Sequence, residues 1–407
     1  MPEQRKKNIL FLTFRFPYPL YGGDRVKSYH ILKHLAKNNN VTLVTFFQGE
    51  KLLDENIKAI EDLGIKLHVV PLKPIQAAIH SLFHNNPLNP LEINYYQQSQ
   101  FQDLVDKVIK ENHFDVGIAF FLRTASYIKK YTNLKKILIA EDCRILYQQR
   151  SYKESTSLLH KVVRYYEHKT LKRFEPKIVK YFDCVTFVTN EDMSEMSKYA
   201  PNINIKLLTN GTRTEYYLPD ESIEKKHILF TGKMSLWANY LMVKKIVTHI
   251  MPTIWKEYPN IKLLVVGADP TKEVLRLASD KVEIHQNVPS FLPYLQRALA
   301  FIHPHKGGTG IQNKLLEAMS CGVPVITTKI GNQGINGVHR ESIMLGETNE
   351  ELTNYTLEIL KDKELAEKIS TNARKLIVDT HSWELIYQEM DNIIEETLGI
   401  EKTIIDN

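Results

Sequence analysis

Short apolar runs recur along this chain at intervals too wide for hairpins. In the first half they occupy residues 8–14, 41–47, 66–70, 116–119, 137–140, 184–188 and 206–208. Most are separated by stretches long enough for a helix, and that alternation predicts a parallel sheet covered by helices. The rhythm breaks at residues 210–222, NGTRTEYYLPDES, where an Asn-Gly turn, a proline and charges read as a linker. A second series follows at residues 227–231, 261–266, 282–285, 299–303 and 323–328. Between its first two members, residues 239–257 have helical spacing, with Leu241, Ile246, Ile250 and Ile254 recurring every four or five positions. A helical tail at residues 382–398, SWELIYQEMDNIIEETL, closes the pattern. The fold class is therefore α/β, with two Rossmann-like domains.

The densest punctuation lies at residues 301–328, FIHPHKGGTGIQNKLLEAMSCGVPVITT. An apolar strand runs into a turn almost free of side chains at Gly307, Gly308 and Gly310. Residues 311–320 are helix formers, Gly322 suits a left-handed cap and Pro324 blocks continuation. At about 100° per residue, Gly310, Asn313, Lys314 and Glu317 share a polar face. Ile311, Leu315, Ala318 and Met319 make the apolar one. Free amides at the helix start favour an anion, Lys314 adds a full charge, and Glu317 can accept hydrogen bonds from sugar hydroxyls. One reading is a site for a nucleotide or nucleotide-sugar. The other is an ordinary strand-helix-strand crossover with an internal Lys314–Glu317 pair.

Length and composition narrow the classes. A chain of 407 residues has room for two or three domains with real cores. It lacks any run of about 18 apolar residues, so a membrane span is not expected. MPEQRKKNILFLTF reads as a first strand rather than a signal peptide. Cys143, Cys184 and Cys321 are scattered without metal-like spacing and suit a reducing cytoplasm. Residues 1–218 carry 32 Lys and Arg against 22 Asp and Glu, whereas the whole chain carries 53 against 47. The basic excess thus lies in the front half, densest at residues 150–180, where aromatics and leucines interleave with the charges. That segment predicts a helix, either packed on its own domain or in peripheral contact with an anionic membrane. No nucleic-acid-binding module accompanies it.

Three further segments could carry chemistry. RFPYPLYGGDRVK follows the first strand, and Gly22 and Gly23 let backbone amides approach a ligand closely. Arg25 and Lys27 then open a helix within reach of anionic groups. ILFTGKMSLW places Gly232 and Lys233 just after the first strand of the second series, and Asn239 is expected to begin the next helix as an N-cap or a ligand contact. AEDCRILYQQR puts Glu141, Asp142 and Arg144 at the carboxyl end of a strand, where α/β proteins gather ligands. These could meet acceptor groups or form structural salt bridges. His303 and His305 flank Pro304 as candidate polar contacts, and no metal site is expected because no carboxylate or cysteine lies close to them in sequence.

LLEAMSCGVPVI resembles the donor-site motif of retaining GT-B glycosyltransferases, specifically glycosyltransferase family 4, with Glu317 as the motif's second glutamate. Thr309 stands where the first glutamate is usual. The form GTGIQNKLLEAM is similar to a branch found among bacterial envelope and exopolysaccharide sugar transferases. The resemblance implies two Rossmann-like domains facing across a cleft, with the C-terminal helix crossing back to the first. Residues 1–215, completed by 382–407, would bind acceptor, and residues 216–381 would bind a nucleotide diphosphate-sugar donor. It implies donor contacts from Gly22, Gly23, Gly232, Gly308, Thr309, Gly310, Ile311, Lys314 and Glu317. Lys233, Lys314 and Glu317 would form the catalytic group, and Arg25, Asp142 and Arg144 the acceptor side. Position 238 is alanine where many relatives carry another lysine, and Lys314 could supply that charge. The expected activity is metal-independent, cofactor-free retaining sugar transfer to a saccharide or lipid-linked hydroxyl, in the cytoplasm or at the inner membrane face. Rivals are a donor-binding partner subunit without catalysis and another GT-B enzyme, such as a nucleotide-sugar epimerase or phosphorylase.

Overall fold

The first sheet is built from β1 (Asn8–Thr13), β2 (Asn40–Phe47), β3 (Lys66–Pro71), β4 (Val116–Phe120), β5 (Lys135–Glu141), β6 (Cys184–Phe187) and β7 (Ile205–Leu207). The second is built from β8 (His227–Lys233), β9 (Lys262–Ala268), β10 (Val282–Gln286), β11 (Ala298–His303), β12 (Val325–Thr327) and β13 (Met344–Leu345). This is a computed structural model, and it describes residues 5–20, 22–49, 51–83, 88–155 and 157–400. The strand orders are β3-β2-β1-β4-β5-β6-β7 and β10-β9-β8-β11-β12-β13, and every pairing is parallel. Each order turns back at its first strand, so the loops leaving β1 and β4, and those leaving β8 and β11, diverge to opposite faces.

Contacts divide the chain into two units. One holds the described residues up to Thr209, Gly308–Gly310, and those from Ile386 onward. The other holds Asn210–Gly307 and Ile311–Leu385. The β1 residues Ile9, Leu10, Phe11 and Leu12 are all fully buried, as a strand covered on both faces requires. In the second unit Phe230 packs with Val243, Ile246 and Ile250 on one face, while Leu229 packs with Leu315, Leu316 and Met319 on the other.

Several elements differ from their sequence-based expectations. The 239–257 helix starts earlier, at Trp237, and passes through a π segment, Ile246–Ile250, before Met251–Glu257. Pro252 explains the break, because it has no amide to donate and its ring would clash with the carbonyl four residues back. The basic segment forms two helices, Arg144–Glu154 and Leu158–Ile178. The tail helix, Trp383–Leu398, packs into the first unit from Ile386 onward. Tyr387 stacks on His34 with ring centres 4.5 Å apart, His34 lies 2.8 Å from Asp391, and Lys206 pairs with Glu396 at 2.8 Å. No described helix is long and apolar enough to cross a membrane.

Candidate active site

In the second unit, β8 ends on Gly232 and Lys233 beside the helix Asn313–Ser320. A side chain on Gly267 would lie 1.7 Å from the Gly232 carbonyl, so this pair of glycines brings the ends of β8 and β9 close together. A Cβ on Gly232 would come within 3.0 Å of the Lys314 ammonium. Lys314 Nζ donates to Asn239 Oδ1 at 2.8 Å, and Asn239 Nδ2 donates to the Lys233 carbonyl at 2.8 Å. The ammonium also stands 4.9 Å from the Phe230 ring centre. Asn239 lies inside its helix, after the cap at Leu236, so it is not the N-cap that the sequence suggested. Its amide instead ties Lys314 to the β8 turn.

One helical turn from Lys314, Glu317 meets the Tyr217 hydroxyl, with Arg213 close by. Burial pushes the Glu317 carboxyl up to about 7, against the opposing pull of Tyr217, Arg213 and Lys314. Burial likewise brings the Lys314 ammonium down to about 8, with Glu317 opposing. The two groups therefore hold opposite charges together only in a narrow window around neutrality. Tyr217 and Arg213 escaped the sequence reading because they lie in the stretch taken as a linker. Their only signal was the aromatic pair and arginine in TRTEYY.

Lys233 points outward, 3.3 Å from Asp269 Oδ2, with both side chains exposed. His303 is buried, its Nδ1 3.2 Å from Thr327 Oγ1, and its Nε2 has no hydrogen-bond partner among the described residues. Burial, reinforced by Lys314 and His305, holds this imidazole neutral. The helix Asn313–Ser320 begins two residues later than expected and carries no side-chain cap. Asn210 Nδ2 fixes its first turn by donating to Asn313 Oδ1 at 2.8 Å. Ile311 precedes it in the same unit.

The tripeptide Gly308–Gly310 groups with the first unit. Gly308 and Gly310 have φ of 96° and 76°, a left-handed conformation that glycine adopts without strain. Thr309 Oγ1 donates to Asp142 Oδ2 at 2.7 Å, and Arg150 Nη1 donates to the Gly308 carbonyl at 3.0 Å. Asp142 also accepts from Arg144 Nη1 at 3.0 Å, while its Oδ1 is buried without a partner among the described residues. Arg144 is buried, and its Nε and Nη2 both reach Glu92 at 3.0 Å. Burial would raise the Glu92 carboxyl, but Arg144 and Arg123 together bring it down to about 2. Arg144 thus holds Asp142 in place. Glu92, which organises this network, is distant in sequence and carried no motif.

Gly22 and Gly23 open the helix Gly23–Asn38, where Arg25 is half-buried beside Asp24. Lys27 corrects the sequence reading, which placed it within reach of ligands. It is fully buried, 2.6 Å from Glu141 Oε1, and it donates to the Leu208 carbonyl at 2.7 Å. Glu141 has φ of 70°, unusual for a non-glycine residue, at the end of β5. An open pocket of about 390 Å³ in the first unit is lined by Arg15, Glu92, Tyr95, Tyr96 and Arg123, among others. The described residues contain no group of three or more metal-ligating side chains.

Comparison with known proteins adds to this geometry. Residues 225–362 match the family described as glycosyl transferases group 1. The chain is 21% identical over 375 residues to an uncharacterized 44.6 kDa protein in the cps region of Klebsiella pneumoniae, covering 88% of this chain and 93% of that one. Its structure is similar to sucrose-phosphate synthase from Thermosynechococcus elongatus, with a TM-score of 0.72, 14% identity and coverage of 97% and 100%. It is also similar to Anabaena HepE in complex with UDP and glucose, with a TM-score of 0.65, 14% identity and coverage of 96% and 99%.

Proposed function

We propose that this chain, whose residues 225–362 match the family of glycosyl transferases group 1, is a GT-B glycosyltransferase that transfers a sugar from a nucleotide diphosphate donor with retention of configuration. The acceptor is a hydroxyl of a saccharide or lipid-linked saccharide used in surface polysaccharide assembly. The observation that carries the reading is the pairing of Lys314 and Glu317 on one face of the helix after the glycine turn. Lys314 is braced by Asn239 against the β8 end, and Glu317 is braced by Tyr217. The HepE complex with UDP and the cps-region relative support the donor class and the setting.

In this reading Gly22, Gly23, Gly232, Gly308, Thr309, Gly310 and Ile311 let backbone and helix amides approach the diphosphate. Lys233 and Lys314 stabilise its charge as it leaves. Glu317 accepts from the nucleotide ribose. Arg25 and Asp142 face the acceptor, with Arg144 positioning Asp142. The donor C1–oxygen bond breaks with its electron pair on the diphosphate. The acceptor oxygen bonds to C1 from the same face, and its proton passes to the departing phosphate oxygen, so configuration is kept. Two lysines and helix amides provide the charge that a divalent cation supplies elsewhere, which makes the reaction metal-independent. Nucleoside diphosphate release should require acceptor and persist in EDTA, and NMR of the product should show the donor's anomeric configuration. Release without acceptor, or an inverted product, would contradict this assignment.

A further inference from the structure

In the first unit the loops leaving β1 and β4 bring arginines against tyrosines. Arg15 follows β1, Arg123 follows β4, and the helix Leu91–Tyr96 supplies Glu92, Tyr95 and Tyr96. These residues line the open pocket of about 390 Å³, with Ala78, Leu82 and Leu91 adding apolar wall. That volume is at the low end of the range for small-molecule sites. Arg123 is the fixed cation. Its guanidinium lies 4.6 Å from the Phe14 ring centre, 4.8 Å from that of Phe121 and 5.3 Å from that of Tyr96. Its Nε and Nη2 donate to Glu92 Oε2 at 3.3 and 3.1 Å, while Nη1 has no hydrogen-bond partner among the described residues.

The carboxylates here are shared. Glu92 serves Arg123 and also both Nε and Nη2 of Arg144. Asp24 accepts from Arg15 Nη1 at 3.2 Å, and its charge also bears on Arg25. Four guanidinium groups thus face three carboxylates, Asp24, Glu92 and Asp142. Glu167, which accepts from the Glu92 amide at 3.2 Å, is partly neutral, because burial pushes its carboxyl up to about 7. Arg15 keeps an exposed side chain whose Nε and Nη2 have no partner among the described residues. The Tyr95 hydroxyl accepts from Gln48 Nε2 at 2.9 Å, so its own proton is left to donate. A sugar ring has C–H faces and a polar rim, which suits an aromatic wall edged with donors. Guanidinium N–H groups fit the oxygens of a carboxylate or phosphate. The pocket also adjoins the acceptor side, since Arg144 bridges Glu92 in its lining to Asp142.

We propose that this pocket selects an acidic acceptor: it seats a sugar unit bearing a carboxylate or phosphate, with the anion on Arg15 and Arg123 and a ring face against Tyr95. The inference rests on the reading of this chain as a glycosyltransferase with its acceptor on the first unit, and adds the charge which that acceptor carries. Arg15, Tyr95 and Arg123 are then specificity residues, outside the donor site.

The test is calorimetric titration of the full chain, with UDP present to fill the donor site, using methyl glucoside, methyl glucuronide and glucose 6-phosphate, and inorganic phosphate as control. One or both anionic sugars should bind at least about tenfold tighter than methyl glucoside, and the tighter of the two identifies carboxylate or phosphate. Arg15→Gln and Arg123→Gln should each reduce that preference by about tenfold and leave methyl glucoside affinity unchanged. Tyr95→Ala should weaken all three sugars. Arg15→Gln changes an exposed side chain and should keep the wild-type thermal midpoint, so it decides the matter if Arg123→Gln unfolds. Equal affinity for the three sugars, no binding of either anionic sugar, an undiminished preference in Arg15→Gln, or inorganic phosphate binding as tightly as glucose 6-phosphate would overturn the proposal. Failure of UDP itself to bind would count against the donor site and leave the comparison among sugars standing.

Discussion

Lys314 and Glu317 sit one turn apart, and burial shifts each toward its neutral form, to about 8 and about 7. A carboxyl raised to about 7 carries its proton below that pH and cannot accept fully from a ribose. An ammonium lowered to about 8 loses its charge above that pH. Donor kcat/KM should therefore be bell-shaped, falling on the acid side with Glu317 and on the alkaline side with Lys314. Of the titratable groups beside the pair, burial pushes the Tyr217 hydroxyl up and the His303 imidazole well down, so neither titrates in this window. Lys314→Arg should remove the alkaline limb, because guanidinium stays charged, and Glu317→Gln should remove the acid limb. Limbs unchanged in both variants would assign them to other groups. Asn239→Ala should lower donor affinity by about tenfold through loss of the Lys314 tether, since about 1.4 kcal/mol per tenfold is typical of one charge-assisted hydrogen bond. Calorimetric titration with UDP reads this directly.

At the scale of elements, the glycine contact between β8 and β9 is the most constrained feature. Gly267→Ala would place a methyl 1.7 Å from the Gly232 carbonyl, against backbone that has nowhere to move without losing strand register. It should cost on the order of 3 kcal/mol in denaturant unfolding and weaken UDP binding with it. The helix Arg144–Glu154 depends on a distant cap. Glu175 accepts from the amides of Arg144 and Ile145 at 3.0 and 2.9 Å, while the local cap position, Cys143, offers none. Glu175→Ala should destabilise by about 2–4 kcal/mol, because two buried amides lose their acceptor, and Glu175→Gln by less. Equal stability of Glu175→Ala and wild type in urea would refute this capping role.

The elements also show where sequence pattern suffices. Buried strands such as β1 and β8 need continuous apolar residues, so their runs stood out. The two-residue β13 was too short to leave a period, and it exists only because Ile326 and Thr327 offer it a partner. The π segment before Pro252 left the apolar spacing almost intact, so the pattern read as one helix. Lys314 and Glu317 were visible because a helix places them on one face. The burial that shifts both was not, since it depends on neighbours contributed by other elements, Phe230 beside Lys314 among them. Lys27 looked like a solvent-facing lysine because its partner Glu141 lies far along the chain.

For the whole molecule, two parallel sheets each present strand ends to a set of functional loops, and the C-terminal helix completes the first unit. The residues that match the glycosyl transferases group 1 family, 225–362, lie in the second unit apart from Gly308–Gly310, and Lys233, Lys314 and Glu317 lie there too. Nucleotide binding there should stabilise the protein by about 2.7 kcal/mol at a hundredfold excess over Kd. The most direct test of the donor assignment is calorimetric titration of UDP into wild type, Lys314→Met and Glu317→Ala in EDTA. Tight wild-type binding, weakened at least about tenfold in each variant, is the result this site predicts. Failure of wild type to bind, or equal affinity in all three, would contradict it.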